Sequence, residues 1–325
     1  MHSKHYARRF PPITQSSCAA IVSAYRPSEA LIGNVRILLE QFALVVVIDD
    51  GSHDDGAVLR ACSTLGAVTA IQPENAGIGA ALNRGVAIAL AQRPALTSVI
   101  TFDQDSVPAA GTLESYRAAV ERAEADGLRV GGVGPGTVGG SVVRASRTHD
   151  AYSEVREPIQ SGFLLPVEVL TNLGGFDEDL FIDGVDTDTY WRLVADGYSS
   201  IVANDVVLEH ELGSRVPARL VGHPIKVRGR PLVIMQSAPF RYYYLARNRV
   251  LLTRRYFRQH PFTMIRGALL DLRHLGVVVA LGSEKQERLA FALRGVRDGL
   301  AGVTGRLQAS NNSASGRAAR RGASA

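Results

Sequence analysis

Between residues 18 and 102, four short apolar runs alternate with helical stretches, and this alternation restricts the fold more than any other feature of the chain. The runs are Cys18–Ala24, Leu44–Ile48, Ala67–Ile71 and Thr97–Phe102. Between them the pattern predicts a helix from Ser28 to about Gln41, a short one from Asp54 or Asp55 to about Ser63, and a long alanine-rich one that Asn75-Ala-Gly-Ile-Gly79 opens and that runs to about Gln92. Continuous apolar strands separated by helices predict an α/β fold: a mostly parallel sheet covered on both faces, with ligands bound outside the carboxyl ends of its strands. Those ends are polar or glycine-rich here, at Ser23–Arg26, Asp49–Ser52, Asn75–Gly79 and Asp103–Ser106. With 325 residues, 46% of them hydrophobic, the chain has ample core for one large domain or two ordinary ones.

The fourth run leads into Asp103-Gln104-Asp105-Ser106-Val107-Pro108. Alternation along a strand predicts that Asp103 and Asp105 aim at one point and Gln104 away from it. Two convergent carboxylates can hold Mg²⁺ or Mn²⁺ while phosphate oxygens of a substrate complete the coordination. The plainer reading makes them caps of a helix beginning near Ala109.

Further on, Gly131–Gly140 is glycine-rich without the Lys-Ser or Lys-Thr of a phosphate loop, and reads as a short strand, Val130–Val133, followed by turns. A strand is expected at Gln160–Leu165, a helix at Pro166–Leu173, a helix from about Asp186 to Asp196 that stops at Gly197, and a strand at Val206–His210. Three helices, Pro239–Phe257, Pro261–Leu281 and Glu284–Leu300, carry arginines between apolar positions. From Arg215 onward the only acids are Asp271, Glu284, Glu287 and Asp298, although the whole chain has a net charge of just +5. The organisation expected is a loose arm at 1–15, an α/β unit at 16–238, a basic helical region at 239–302 and a disordered tail at 303–325. Within the unit, 16–108 is the half whose strand ends would take a nucleotide, and 109–238 is the other half. Cys18 and Cys62 lie in or near apolar segments without metal-ligand spacing, as reduced core thiols of a cytoplasmic protein would. No signal sequence opens the chain, and Leu275–Leu281 is too short to span a bilayer.

Five motifs in order carry a resemblance to a known family: Ser23-Ala-Tyr-Arg-Pro27, Ile48-Asp-Asp-Gly-Ser52, Asn75-Ala-Gly-Ile-Gly79, Phe102-Asp-Gln-Asp-Ser106 and Phe181-Ile-Asp-Gly-Val-Asp186. Over roughly Ala19–Tyr256 the chain resembles the family 2 glycosyltransferases of GT-A fold, and within them the bacterial rhamnosyltransferases, to which Arg241-Tyr-Tyr-Tyr-Leu-Ala-Arg-Asn248 is also similar. It departs at Asp50, where the subgroup commonly has Asn, and at Asp188, where it often has Glu. The resemblance implies an inverting, metal-dependent sugar transfer, with L-rhamnose from dTDP-rhamnose favoured and a UDP-sugar as the alternative. It implies Asp186 as general base, with Asp183 and Asp188 as the other candidates. Asp105 would ligate the metal, Asp103 the metal or the ribose, and His210 the metal or the donor phosphate. Ser23, Tyr25, Asp49, Asp50, Asn75, Gly79 and Gln104 fall at the nucleotide edge. Trp191 is a candidate for sugar stacking, and Arg241 and Arg247 are candidates for the leaving diphosphate.

The acceptor expected is a cell-envelope glycan or a lipid-linked molecule, and the basic C-terminal helices suit either contact with the inner face of a membrane or a second subunit in a homo-oligomer. Two other classes compete. A nucleotidyltransferase would want a basic glycine loop after the first strand, which Tyr25-Arg26-Pro27 does not supply. A non-catalytic nucleotide or polyanion binder would use the arginine-rich end and would gain nothing from Asp103, Asp105 and Asp186.

Overall fold

A computed structural model describes residues 9–210, 214–220, 223–227 and 229–308. The first half runs β1 (Cys18–Ala24), α1 (Ala30–Gln41), β2 (Leu44–Asp49), α2 (Ala57–Thr64), β3 (Val68–Ile71), α3 (Ile78–Gln92) and β4 (Ser98–Asp103). β3, β2, β1 and β4 lie side by side in that order, all parallel. β1, β2 and β4 are buried on both faces because each face is covered, whereas the edge strand β3 is only half-buried. On β1, Ala20 and Val22 pack with the helix α1 residues Leu31, Val35 and Leu38, whereas Ala19 and Ile21 pack with Ala81, Leu82 and Ala89 of α3.

The second half completes the sheet with mixed directions. It comprises β5 (Val107–Pro108), α4 (Thr112–Ala125), β6 (Val130–Val138), β7 (Ser141–Val142), β8 (Ala145–Thr148), β9 (Tyr152–Val155), β10 (Phe163–Pro166), α5 (Val167–Asn172), α6 (Val185–Ala195) and β11 (Ser199–Glu209). β10 runs antiparallel between β4 and β6, and β11, β9 and β8 extend the sheet beyond β6. β6 is nine residues long, not the four-residue strand with trailing turns expected from its glycines. Its glycines are inside the strand because neighbours press on it. A methyl group on Gly131 would lie 2.7 Å from Tyr198 Cβ, one on Gly136 2.6 Å from the Ala203 carbonyl, and one on Gly132 would overlap the Phe163 ring. β11 likewise starts at Ser199, before the expected Val206, and bends where its pairing with β6 slips between Ala203 and Val207.

Helices α7 (Arg241–Tyr256), α8 (Pro261–Leu281) and α9 (Lys285–Leu300) follow six short strands that form three antiparallel pairs. Several of their arginines are internal: Arg247 and Arg288 are almost fully buried. Among the described residues no helix is long and apolar enough to cross a membrane. The expected arm is packed where it is described: Phe10 and Ile13 are buried, and the Phe10 N–H donates to Glu124 Oε1 at 2.6 Å. Of the tail expected to be disordered from 303, residues 303–308 are described: Gly305 and Leu307 are half-buried and hydrogen-bonded to Asp179 and Tyr244, and the remainder lies outside the described residues. Cys18 and Cys62 are buried free thiols.

Candidate functional site

Strand register assembles the site. Ser23 pairs with Asp103 and Ala24 with Asp49, so the ends of β1, β2 and β4 form one edge. Asp49 Oδ1 accepts the Ser52 N–H at 3.0 Å and the Ser52 hydroxyl, whose oxygen accepts the Arg26 N–H at 2.6 Å. Asp50 accepts from Gln72 Nε2 at 2.7 Å and from the N–H groups of Ala76 and Gly77 at 2.8 Å each. Both carboxylates are buried and satisfied by donors, and they lock the loops that rim the edge. The Asp50 cleft, of about 540 Å3, is lined by Ser23, Tyr25, Asn75 and Gln104 among others, with Phe240 and Tyr244 on its far wall. Gly79 does not reach it, because its α-carbon faces the Asp177 backbone. Gln104 helps to build the wall: its Oε1 accepts the Tyr25 N–H at 2.9 Å.

Asp103, Asp105 and His210 each offer a ligand atom, and these atoms lie within 4.8 Å of one another. The convergence does not come from strand alternation, since β4 stops at Asp103. The chain turns there, with the Ser106 N–H donating to the Asp103 carbonyl at 3.1 Å. Neither acid caps the next helix, which begins at Thr112 after Gly111 in the left-handed region. His210 Nδ1 lies 2.9 Å from Ser106 Oγ and 3.2 Å from Asp105 Oδ1. Ser161, which the sequence reading passed over as part of a strand, holds this group together. Its fully buried hydroxyl accepts the Asp103 N–H at 3.0 Å and donates to Ser106 Oγ at 2.7 Å. Burial pushes the Asp103 carboxyl up to about 6, against the opposing pull of His210, and the neighbouring Asp105 adds to the rise.

The third part is the loop before α6. Phe181 and Asp183 both have φ of 65°, and Gly184, at 89°, precedes the helix. Two departures of this kind in non-glycine residues, with one residue between them, are costly and mark a loop held by its surroundings. Asn248 does the holding, donating to the carbonyls of Leu180, Ile182 and Asp183 at 2.6–2.9 Å. Asp183 is tied to the Arg241 guanidinium through both oxygens. Asp186 sits in the first turn of α6 and accepts the Thr187 N–H at 2.8 Å, so it is not the cap residue. Burial raises its carboxyl to about 6, and Asp183, Glu157 and Asp103 add to the rise. Asp186 lines a cavity of about 530 Å3 together with Asp103, Asp105, His210 and Arg241. This cavity meets the Asp50 cleft at Ile78, Asp103, Gln104 and Ile182.

Three expected contacts fall elsewhere. Asp188 is wholly buried behind α6, bonded to Arg192 Nε at 2.6 Å, to Tyr256 Oη at 2.7 Å and to Arg255. Trp191 lies in the core, against Tyr190 and His260, and presents no face to a sugar. Arg247 has no exposed surface and spends its guanidinium on Asn248 and on backbone carbonyls. A larger cavity, about 730 Å3, opens at the opposite edge of the sheet, but its Arg129 is committed to the Asp196 carbonyl and Tyr198.

Residues 19–179, from β1 to the loop before α6, match the family described as Glycosyl transferase family 2. That segment is a family 2 glycosyltransferase domain. Over 148 residues, 45% of this chain, the sequence is 30% identical to the dTDP-rhamnosyl transferase RfbF of Shigella flexneri. The chain spans about half the length of that curated relative, 46%. Among solved structures, S. aureus TarS superposes with a TM-score of 0.52 at 16% identity, covering 88% of this chain and 49% of that one. A structure of TarS in complex with UDP-GlcNAc gives 0.51 at 15%, covering 88% of this chain and 81% of that one. At those identities the likeness concerns the fold, which is the GT-A arrangement of a mixed sheet between helices.

Proposed function

We propose that this protein is an inverting glycosyltransferase that moves a sugar from a nucleoside-diphosphate donor to an acceptor hydroxyl, with Asp186 as general base. The observation that carries this is one continuous cleft, with Asp50 and Tyr25 at one end and, across Asp103, the Asp103–Asp105–His210 group and Asp186 at the other. dTDP-rhamnose is the donor favoured, on the likeness to RfbF, with a UDP-sugar as the alternative.

The nucleoside occupies the end formed by Ser23, Tyr25, Asp50 and Asn75, which places the diphosphate towards Asp103. Two carboxylates and an imidazole nitrogen within 4.8 Å suit a divalent cation such as Mg²⁺ or Mn²⁺. When bound, such an ion neutralises charge on the departing diphosphate. Asp186 takes the proton of the acceptor hydroxyl, whose oxygen forms the new bond to the anomeric carbon as the bond to the diphosphate breaks with its electron pair. A carboxyl raised to about 6 is ionised at neutral pH yet basic enough to accept a proton. Asp183 is unsuited to that task because Arg241 holds both its oxygens, and Asp188 because it is sealed behind the helix.

The acceptor in this proposal is a cell-envelope glycan or a lipid-linked molecule, the latter favoured. Helix α8 supports this reading: Phe262, Ile265, Leu269 and Leu272 are exposed along one face, with the exposed Arg266 and Arg273 beside them. An apolar stripe with flanking cations suits an anionic bilayer surface. The chain is expected to sediment with vesicles containing phosphatidylglycerol, and Leu269→Glu/Leu272→Glu to stay in the supernatant.

The transferase reading is tested by incubating the protein with a panel of nucleotide sugars, with and without Mn²⁺ or Mg²⁺, and measuring the nucleoside diphosphate released. Release from dTDP-rhamnose that requires metal and is lost in Asp186→Asn is the expected result. No binding or cleavage of any nucleotide sugar would sink the proposal.

A further inference from the structure

Past α9 the chain reverses and returns to the site. Gly305 donates its N–H to the Asp179 carbonyl at 2.7 Å, and Leu307 donates its N–H to Tyr244 Oη at 2.8 Å. Leu307 packs against the stacked rings of Phe181 and Tyr244, whose centres are 4.9 Å apart. The anchor is Arg247, which bonds the Gly305 carbonyl and, from the same guanidinium, the carbonyls of Leu180 at 2.8 Å and Asp179 at 3.2 Å. A fully buried guanidinium is tolerated only when its N–H groups find acceptors, so Arg247 specifies the position of residue 305 against the loop that leads to Asp183 and Asp186. Phe181 also accepts the Ile78 N–H at 2.8 Å. The nucleotide-edge loop, the loop before α6 and the returning segment therefore meet at one residue.

Arg306 and Leu307 consequently line the same cleft as Ser23, Tyr25, Asp50 and Asn75 and as Asp103, towards which the diphosphate is directed. Three arginines line the two joined cavities. Arg241 is held by Asp183, and Arg26 lies over the Tyr25 ring, 5.2 Å from its centre. Arg306 is exposed and has no ion pair or hydrogen-bonded side-chain partner among the described residues. A guanidinium matches phosphate oxygens in shape as well as charge.

We propose that residues 305–307 are a wall of the donor cleft and that Arg306 binds the diphosphate of the nucleotide donor, an assignment that rests on the transferase reading above. The segment lies outside the residues that match the family, so this contact is supplied by the C-terminal extension and not by the family 2 domain.

The test is calorimetric titration of the full chain with dTDP and with UDP, in Mn²⁺ and over a range of salt, for wild type, Arg306→Ala, Arg306→Lys and Arg306→Glu. Because the side chain is exposed, all four are expected to melt together. Arg306→Ala should bind the nucleoside diphosphate roughly tenfold more weakly, the size of one charge-assisted contact, with a shallower dependence on salt. Arg306→Lys should recover part of the affinity, and Arg306→Glu should be weakest. Equal affinity of wild type and Arg306→Ala overturns the assignment while leaving the transferase intact. A loss of affinity with an unchanged salt dependence also overturns it, since a wall of shape alone would behave so. Wild type that binds neither nucleotide overturns both readings together.

Discussion

Replacing Asp186 by Asn should remove activity and make the protein more stable. Asn keeps an oxygen to accept the Thr187 N–H and nearly the same volume, so the substitution changes little besides the charge. That charge is unwelcome in the folded chain. Burial and the neighbouring Asp183, Glu157 and Asp103 push the carboxyl from the ordinary 3.8 up to about 6. The sign follows from which form the fold disfavours: below pH 3.8 the group is protonated in both states and costs nothing, and the penalty grows between pH 3.8 and 6 and is constant above. At pH 7.5 the ionised carboxylate therefore costs the fold on the order of 1–3 kcal/mol, the ceiling being the whole rise in pKa converted to free energy. Urea denaturation of both proteins at pH 7.5 and at pH 4 measures it. Asp186→Asn should be the more stable at pH 7.5, the difference should shrink towards pH 4, and turnover should fall about 10²- to 10⁴-fold. A variant less stable than wild type at pH 7.5, or a stability difference independent of pH, would refute the argument that Asp186 is held in a strained, basic state.

The neighbouring Asp188 should respond in the opposite sense. Asp188→Asn leaves two guanidinium groups and Tyr256 around a site with no charge, and should lose about 3 kcal/mol of stability, read by the same denaturation, because breaking a buried pair is costly even when one partner reaches water. Gly77→Ala should destabilise by several kcal/mol, roughly 2–4, since its φ of 96° is unfavourable for alanine and the new methyl would overlap the Phe181 backbone. Circular-dichroism melting would show it. For the metal group, Mn²⁺ binding followed by electron paramagnetic resonance should weaken at least tenfold in Asp105→Ala and in His210→Ala, and chelation should abolish turnover. In wild type kcat/KM should climb with pH and level off above about 6, the value of the Asp186 carboxyl, and a profile flat from pH 5 to 8 would contradict its role as base.

The parallel half of the sheet was legible because its information is local. Continuous apolar runs of β-strand length between amphipathic helices have one good solution, and its carboxyl edge follows from the direction of the chain. Ser23, Asp50, Asp103 and Asp105 could therefore be placed at one edge from their positions alone. β6 was misjudged because its glycines answer to Tyr198, Phe163 and Ala203, which lie far along the chain and cannot be read from the run itself.

The choice among Asp183, Asp186 and Asp188 shows where sequence stops. Residues two apart on a helix point to opposite sides, so Asp186 and Asp188 could not both face the cleft, but which one did depended on what packed behind α6. Arg255 and Tyr256, arriving from α7, claimed Asp188, and Arg241 from the same helix claimed Asp183. The chain by itself determined the parallel half of the sheet, the order of its motifs and the edge where they gather. Only tertiary structure decided which acids were consumed by arginines, that Ser161 links Asp103 to Ser106, and that a C-terminal segment read as disordered comes back to put Arg306 in the cleft. Those outcomes rest on side chains 50 or more residues apart satisfying one another's buried charges and carbonyls, a condition that no local pattern of residues records.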